Sequence, residues 1–243
     1  MSELEKSCSP TTEQTTQTLF DKGLATYRKV TVNNLMYHRE VYAALHQILI
    51  EEMVKPFTFL DIACGDASAS ARALQGTAVN QYIGIDLSRP SLELADRELK
   101  SLPCKVRLEC RDFVEALYNW TEPVDAAWVG MSIHHLHHEA KREFMRTIRQ
   151  TLRDDGLFMI WEPTCLDGED RLGWMDRFCA ERDNWRVLTD EEFEAMNAHN
   201  RLADFPETAA RWHKLGRDAG FVTSREFFFS PNRLARGYVY QVR

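Results

Sequence analysis

The stretch Phe57–Ser70, FTFLDIACGDASAS, constrains the fold more than any other part of the chain. A β-rich apolar run (Phe57, Phe59, Leu60, Ile62) stops at an acid, Asp61, and passes through Ala63-Cys64-Gly65 into small residues suited to opening a helix. Strand, tight small-residue turn and helix make the nucleotide-binding unit of an open α/β sheet, whose ligands sit beyond the carboxyl ends of the strands. Such folds hold a ribose-binding carboxylate about 20 residues further on. There the chain has Tyr82-Ile83-Gly84-Ile85-Asp86, a second short apolar strand that ends in Asp.

The same alternation continues. Ser88 caps an expected helix over Ser91–Leu102, Val106–Cys110 reads as a third strand and Val124–Gly130 as a fourth. Phe144, Ile148 and Leu152 share one face of a helix that the turn signal Asp154-Asp155-Gly156 should end, and Leu157–Trp161 follows as a fifth strand. Strands alternating with helices in this rhythm predict a doubly wound, mainly parallel sheet with right-handed crossovers. From Glu162 to Glu207 the rhythm breaks into short helices rich in aromatic residues, with a capping-box match at Thr189–Glu192. A helix over Pro206–Ala219, with Gly220 just past its end, then leads to two β-rich runs, Phe221–Phe229 and Gly237–Val242, expected to pair antiparallel. Before the first strand, Val41, Leu45, Ile48, Leu49 and Met53 recur at helical spacing, and a shorter helix is expected around Leu19–Tyr27. The domain plan is therefore a flexible tail over 1–18, a helical lid over 19–55, and a main domain over 56–243 with a helical insertion at about 163–205.

Composition narrows the class of protein. A net charge of −7 and a pI near 5.7 argue against a long nucleic-acid footprint, which needs a basic face. No apolar run approaches a membrane span, and the polar N-terminus lacks the apolar core of a signal peptide. The 6 cysteines show no C-x-x-C and no zinc-like pairing, so they read as reduced thiols of a cytoplasmic protein. Oligomeric state is not legible.

Three strands end in carboxylates, Asp61, Asp86 and Asp112, all on one edge of a parallel sheet. A ribose diol is bound well by a carboxylate that accepts both hydroxyl protons, and Asp86 has the position for that role. These motifs, in this order, resemble those of class I S-adenosylmethionine (SAM)-dependent methyltransferases of the small-molecule type, from Phe57 to the C-terminus. The resemblance implies a seven-stranded sheet with its last strand antiparallel, SAM as cofactor, and methyl transfer to O or N of a small-molecule acceptor. It implies that Asp61 holds the amino group of the cofactor and that Asp112 and Phe113 meet adenine, with Leu87 over the other face of the base. It also brings Met131, on the loop after the fourth strand, to the cofactor. Ala63, Gly65 and Ala67 stand where this family commonly has glycines, and of these only Gly65 takes a positive φ freely.

A rival reading, an NAD-dependent oxidoreductase, shares the strand-turn-helix-acid pattern. Its G-x-G-x-x-G fingerprint makes room for a pyrophosphate, whereas this turn carries Asp66, a negative charge beside the phosphates. A non-catalytic SAM-binding protein is a second alternative. His134, His135, His137 and His138 crowd the loop after the fourth strand. Adjacent ligands point apart on most backbones, and no Cys or paired acid stands at ligand spacing, so no metal site is expected. The resemblance instead offers His135 or His134 as general base, with the alternative of a histidine that fixes the loop. Trp161 and Glu162 end the fifth strand on the same edge. With Tyr37 in the lid and Trp174 in the insertion they are the candidate substrate contacts, and the rival reading for the aromatics is plain core.

Overall fold

The computed structural model describes residues 25–243. The expected tail over 1–18, and the lid helix up to residue 24, lie outside the described residues. The first described element, α1, is helical over 25–32. The chain continues through α2 (His38–Glu52), β1 (Phe57–Ile62), α3 (Ser68–Leu74), β2 (Val79–Asp86), α4 (Arg89–Glu98), β3 (Lys105–Cys110), α5 (Phe113–Tyr118), β4 (Val124–Gly130) and α6 (His138–Thr151). It ends with β5 (Leu152–Cys165), α7 (Arg171–Cys179), α8 (Asp190–Ala203), β6 (Glu207–Thr208), α9 (Ala209–Ala219), β7 (Thr223–Phe229) and β8 (Ala235–Gln241).

The sheet runs in the order β3-β2-β1-β4-β5-β8-β7, with β6 paired to the far end of β5. Strands β3, β2, β1, β4 and β5 are parallel, and β8 is antiparallel to both β5 and β7. Strand order reverses between β1 and β4, which opens a crevice at their carboxyl ends where ligands bind in open α/β sheets. Both faces are covered, so the central strands are apolar almost throughout. Phe59, Tyr82, Trp128 and Met159 face α2, α3 and α4 on one side. Leu60, Ile83, Val129 and Phe158 face α5, α6 and α9 on the other. A third cluster, with Trp174, Phe178, Trp185 and Phe193, holds the insertion together, and Phe178 and Phe193 stack with ring centroids 5.6 Å apart. Among the described residues no helix is long and apolar enough to cross a membrane.

Several boundaries differ from the sequence reading, and the differences are physical. The helical periodicity ending at Leu152 stops one residue early, because Leu152 already pairs with Val124. Asp154-Asp155-Gly156 is not a turn. It lies within β5, where a register shift between Val124 and Ala126 absorbs it. Strand β5 also continues past Trp161 to Cys165. Strand β4 ends level with Trp161, so beyond that point β5 loses β4 from one edge. Pro163, which has no N–H to donate, is tolerated there, and the freed edge takes up β6. Helix α4 is capped by Ser88 but gives way to a 3₁₀ turn at Leu99. Helix α9 starts at Ala209 rather than Pro206, on a Thr208 cap, and closes on Gly220 at φ 95°. The capping box at Thr189 and Glu192 is present in full.

The turn after β1 keeps a glycine-type backbone with a single glycine, Gly65. Ala63 (φ 55°), Gly65 (φ 56°) and Ala67 (φ 54°) are all left-handed, as is Met131 (φ 55°) just after β4. A side chain in that region costs about 1–2 kcal/mol, and strain of this kind gathers at ligand-binding edges. Replacing Ala63 with Gly removes the clash but adds freedom to the unfolded chain, worth about 0.4–1 kcal/mol. The Ala63→Gly variant should therefore be more stable by up to about 1 kcal/mol. A urea midpoint that rises at constant slope checks this, and an unchanged or lower midpoint would show that the turn is not strained.

Candidate functional site

The carboxyl ends of β1, β2 and β3 bring the acids together as the sequence predicts. Asp86 closes β2, and each of its oxygens meets a backbone donor: Oδ2 accepts from Gly65 N and Oδ1 from Ser88 N, both at 2.8 Å. A carboxylate has about four acceptor positions, so each oxygen keeps one for a ligand hydroxyl. A Cβ built on Gly65 would meet nothing within 4 Å, so the turn faces open space beside this carboxylate. Asp112 caps α5 with one oxygen, Oδ1, which accepts from Val114 N and Glu115 N. Phe113 stands edge-on to Phe144 at 5.5 Å, partly in the core, while Leu87 is 40% exposed at the mouth.

Asp61 is buried beneath this edge and accepts from Tyr82 Oη at 2.6 Å. Burial pushes its carboxyl up to about 7, with a smaller contribution from the Asp86 charge, against the hydrogen bonds from Ser70 and Tyr82 that lower it. A cationic ligand group would offset that burial. Asp61, Ala63, Gly65 and Asp86 thus form an acidic, glycine-shaped cradle with open space above it. It suits an adenosine bearing positive charge and not a pyrophosphate.

The second wall is the loop after β4, held by one buried side chain. Glu162 is fully buried on β5. Its Oε1 accepts from Ser132 N (3.1 Å) and Ile133 N (3.0 Å), and its Oε2 from His134 N (3.2 Å). The same Oε2 lies 2.6 Å from His134 Nδ1. Glu162 is therefore the anchor of the loop, with the backbone of 132–134 folded over it. Burial alone lowers the pKa of His134, but Asp204 and Glu162 together outweigh it and leave the imidazole above its ordinary range.

The unforeseen member is Asp204, far along the chain at the end of α8. Its Oδ1 lies 3.2 Å from His135 Nδ1, 3.6 Å from His134 Nε2 and 3.9 Å from His199 Nε2. His135 Nδ1 is also 3.2 Å from the carbonyl of Ala203. Each histidine proposed as a base therefore has a carboxylate at hand. No pattern in the sequence flags Asp204, because its approach depends on how the insertion folds back.

Beside Asp204 opens a narrow cavity of about 60 Å³, with Met36, Met131, Trp174, Phe178 and Trp185 among its lining and Asn200, Asp204, Ser230 and Asn232 as its polar groups. Met131 and Trp174 thus meet on one cavity, and Trp174 is oriented by a hydrogen bond from its Nε1 to Leu234 O at 2.9 Å. Tyr37, Trp161 and Glu162 are not part of its lining. Trp161 is buried against His38, rings 4.9 Å apart and edge-on, and its Nε1 donates to no described group. Tyr37 precedes α2 in a left-handed conformation and is only partly buried. Met36, Asn200 and His199 escaped the sequence reading for the same reason as Asp204.

Residues 59–156 match the family described as "Methyltransferase domain". No curated protein matches the chain by sequence. Among solved structures, the plantazolicin methyltransferase BpumL in complex with SAH superposes at a TM-score of 0.64 with 14% identity, over 93% of each chain. Magnesium protoporphyrin IX methyltransferase (ChlM) from Synechocystis PCC 6803, with bound SAH, gives 0.57 and 13%, over 88% of this chain and 85% of that one. The pyocyanin biosynthetic protein PhzM gives 0.57 and 18%, over 82% of this chain. The chain spans 54% of the length of PhzM, 55% of a structure from Nostoc punctiforme PCC 73102 and 67% of a protein from Bordetella parapertussis.

Proposed function

We propose that this chain is a class I SAM-dependent methyltransferase that transfers a methyl group to O or N of a small acceptor with an apolar, ring-bearing body. The observation that carries the reading is the paired strand ends. Asp61 and Asp86 flank an open, left-handed turn at the crevice of an open α/β sheet, beside a mostly apolar, aromatic cavity with a few polar groups. SAM supplies the activated methyl on a cationic sulphur. Asp86 holds the ribose, Asp61 faces the amino group, and Asp112, Phe113 and Leu87 frame the adenine. Met131, in its left-handed conformation, lines the acceptor cavity and is the residue we assign to the cofactor side of it. Trp174 and its neighbours give the acceptor apolar contact and exclude water, so alignment and desolvation supply much of the rate. His135 and Asp204 are the polar groups available to the reacting atom. The free thiols of Cys64, Cys104, Cys110, Cys165 and Cys179 support a reducing, cytoplasmic setting.

The NAD alternative is separable from this reading, because a ligand that binds only the native state raises the melting temperature. SAM or S-adenosylhomocysteine should raise it and NADH should not. The reverse pattern, or no response to millimolar SAM, would overturn the proposal. Transfer itself is read by mass spectrometry, as a gain of one methyl group on a panel of planar phenols, acids and amines.

The carboxyl of Asp61 makes cofactor binding depend on pH. Its folded pKa, about 7, lies above the ordinary value of 3.8, so unliganded stability from this group is present below about pH 4 and lost as pH rises through 7. A cationic amine beside it favours the ionised form, so binding below pH 7 must expel a proton. Affinity for SAM should fall about tenfold for each pH unit below 7 in the native protein, and Asp61→Asn should flatten that slope. Calorimetric titrations between pH 5 and 8 test both, and a slope unchanged in Asp61→Asn would remove Asp61 from the binding site.

A further inference from the structure

We propose that His134, His135 and Asp204, with His199 as fourth ligand, form a site for one divalent transition-metal ion of the zinc class. One ligand atom from each of His134, His135 and Asp204 lies within 4.8 Å of the others. Four ligands held at about 2.0–2.2 Å around a tetrahedral ion are separated from one another by about 3.3–3.6 Å. The three imidazole nitrogens stand 3.2, 3.6 and 3.9 Å from Asp204 Oδ1, so the edges that His135 and His134 make with Asp204 are close to those of such a shell, and His199, outside the group of three, closes it by moving inward. Asp204 Oδ1 is buried and accepts no well-aligned hydrogen bond among the described residues. Its other oxygen, Oδ2, takes the Asn200 amide at 3.2 Å once that amide is turned as its surroundings require. That leaves a carboxylate held by one oxygen and presenting the other.

The outer shell is in place too. Histidine ligands commonly donate their second ring N–H to a carboxylate, which fixes the tautomer and aims the lone pair at the metal. Glu162 Oε2 accepts this bond from His134 Nδ1 at 2.6 Å, which leaves Nε2 facing Asp204. His135 Nδ1, shared between Ala203 O and Asp204, gives up its proton when an ion takes its place. Three imidazoles and one carboxylate select a zinc-like ion over magnesium or calcium, which require oxygen. The ligands come from the loop after β4 and from the end of α8, so the ion would join that loop to the insertion. Asp204 also lines the acceptor cavity, which sets the ion at its wall, and four protein ligands close its shell, so its role there is to fix the loop and the insertion. The site does not depend on the methyl-transfer reading, because metal content reports it directly.

The test uses the full chain, stripped with chelator, desalted and titrated with Co(II) and then Zn(II). One equivalent of Co(II) should bind with the intense visible bands of a four-coordinate nitrogen–oxygen site, and Zn(II) should displace it. Loss of a mere outer-shell partner costs about 10–100-fold in affinity. Asp204→Asn and His135→Ala should therefore weaken binding by more than about 100-fold, and His199→Ala by at least about tenfold with an altered Co(II) spectrum. His199 is half-exposed on α8, so that variant folds even where Asp204→Asn does not, and His213→Ala, remote from the cluster, should bind as the native chain does. No stoichiometric binding, or equal affinity in the native chain, His135→Ala and His199→Ala, would overturn the site. Melting shifts with SAM on the same samples keep a failed metal site distinct from a failed cofactor site.

Discussion

Asp86→Ala should abolish most of the affinity for SAM and S-adenosylhomocysteine alike. The carboxylate stands at the end of β2 with Gly65 N on one oxygen and Ser88 N on the other, so its plane is fixed before any ligand arrives. A ribose diol would add two hydrogen bonds to a charged acceptor, each worth about 1.5–3 kcal/mol. Their loss is about 3–6 kcal/mol, or a factor of roughly 10² to 10⁴ in Kd. The variant also strips Gly65 N of its acceptor, so some of the loss is a loosened turn. The ligand separates the two. S-adenosylhomocysteine should out-bind its 2′,3′-dideoxy analogue strongly in the native chain and hardly at all in Asp86→Ala. If calorimetry returns native affinity for the variant, or the same preference for the diol, Asp86 is a turn-fixing residue and the ribose sits elsewhere.

The parts of this design that were legible in the sequence are those written in local periodicity. Strands β1, β2 and β4, the acids Asp61, Asp86 and Asp112 at the ends of β1, β2 and β3, the Ser88 and Thr189 caps and the Gly220 stop all follow from near neighbours. What failed was tertiary override. The Asp154-Asp155-Gly156 signal is sound turn chemistry, yet pairing of Leu152 with Val124 draws it into β5. Trp161-Glu162-Pro163 reads as a strand end because proline usually closes one, but here β8 continues to pair and β4 has already stopped. The alanines of the β1 turn looked like a departure from a glycine loop, and the backbone keeps the glycine geometry regardless. The histidine loop was legible as chemistry and not as geometry, since its partners Glu162, His199 and Asp204 arrive only through the sheet and the insertion.

Glu162 is the residue whose loss should cost the most stability. A buried carboxylate that lost its partners would be costly, but here the dependence runs the other way, with four donors relying on one side chain. Glu162→Ala leaves the N–H groups of Ser132, Ile133 and His134 and one imidazole nitrogen without an acceptor, each at about 1–3 kcal/mol less what water and relaxation recover. Breaking a buried ion pair from one side costs about 3–5 kcal/mol, a large part of the stability of an ordinary domain. At about 2–4 °C per kcal/mol for a chain of this size, the melting temperature should drop by roughly 10 °C. Glu162→Gln keeps one acceptor for Ser132 and Ile133 and should lose about half as much. A double-mutant cycle with His134→Ala, run in chelator, identifies the main contribution. If the ion pair dominates, either single variant costs nearly as much as the double. If the backbone cap dominates, Glu162→Ala costs at least about 1 kcal/mol more than His134→Ala, and adding the second substitution changes little. The three backbone donors favour the second outcome, and a His134→Ala variant as unstable as Glu162→Ala would show that the imidazole, not the loop backbone, is what the buried charge serves.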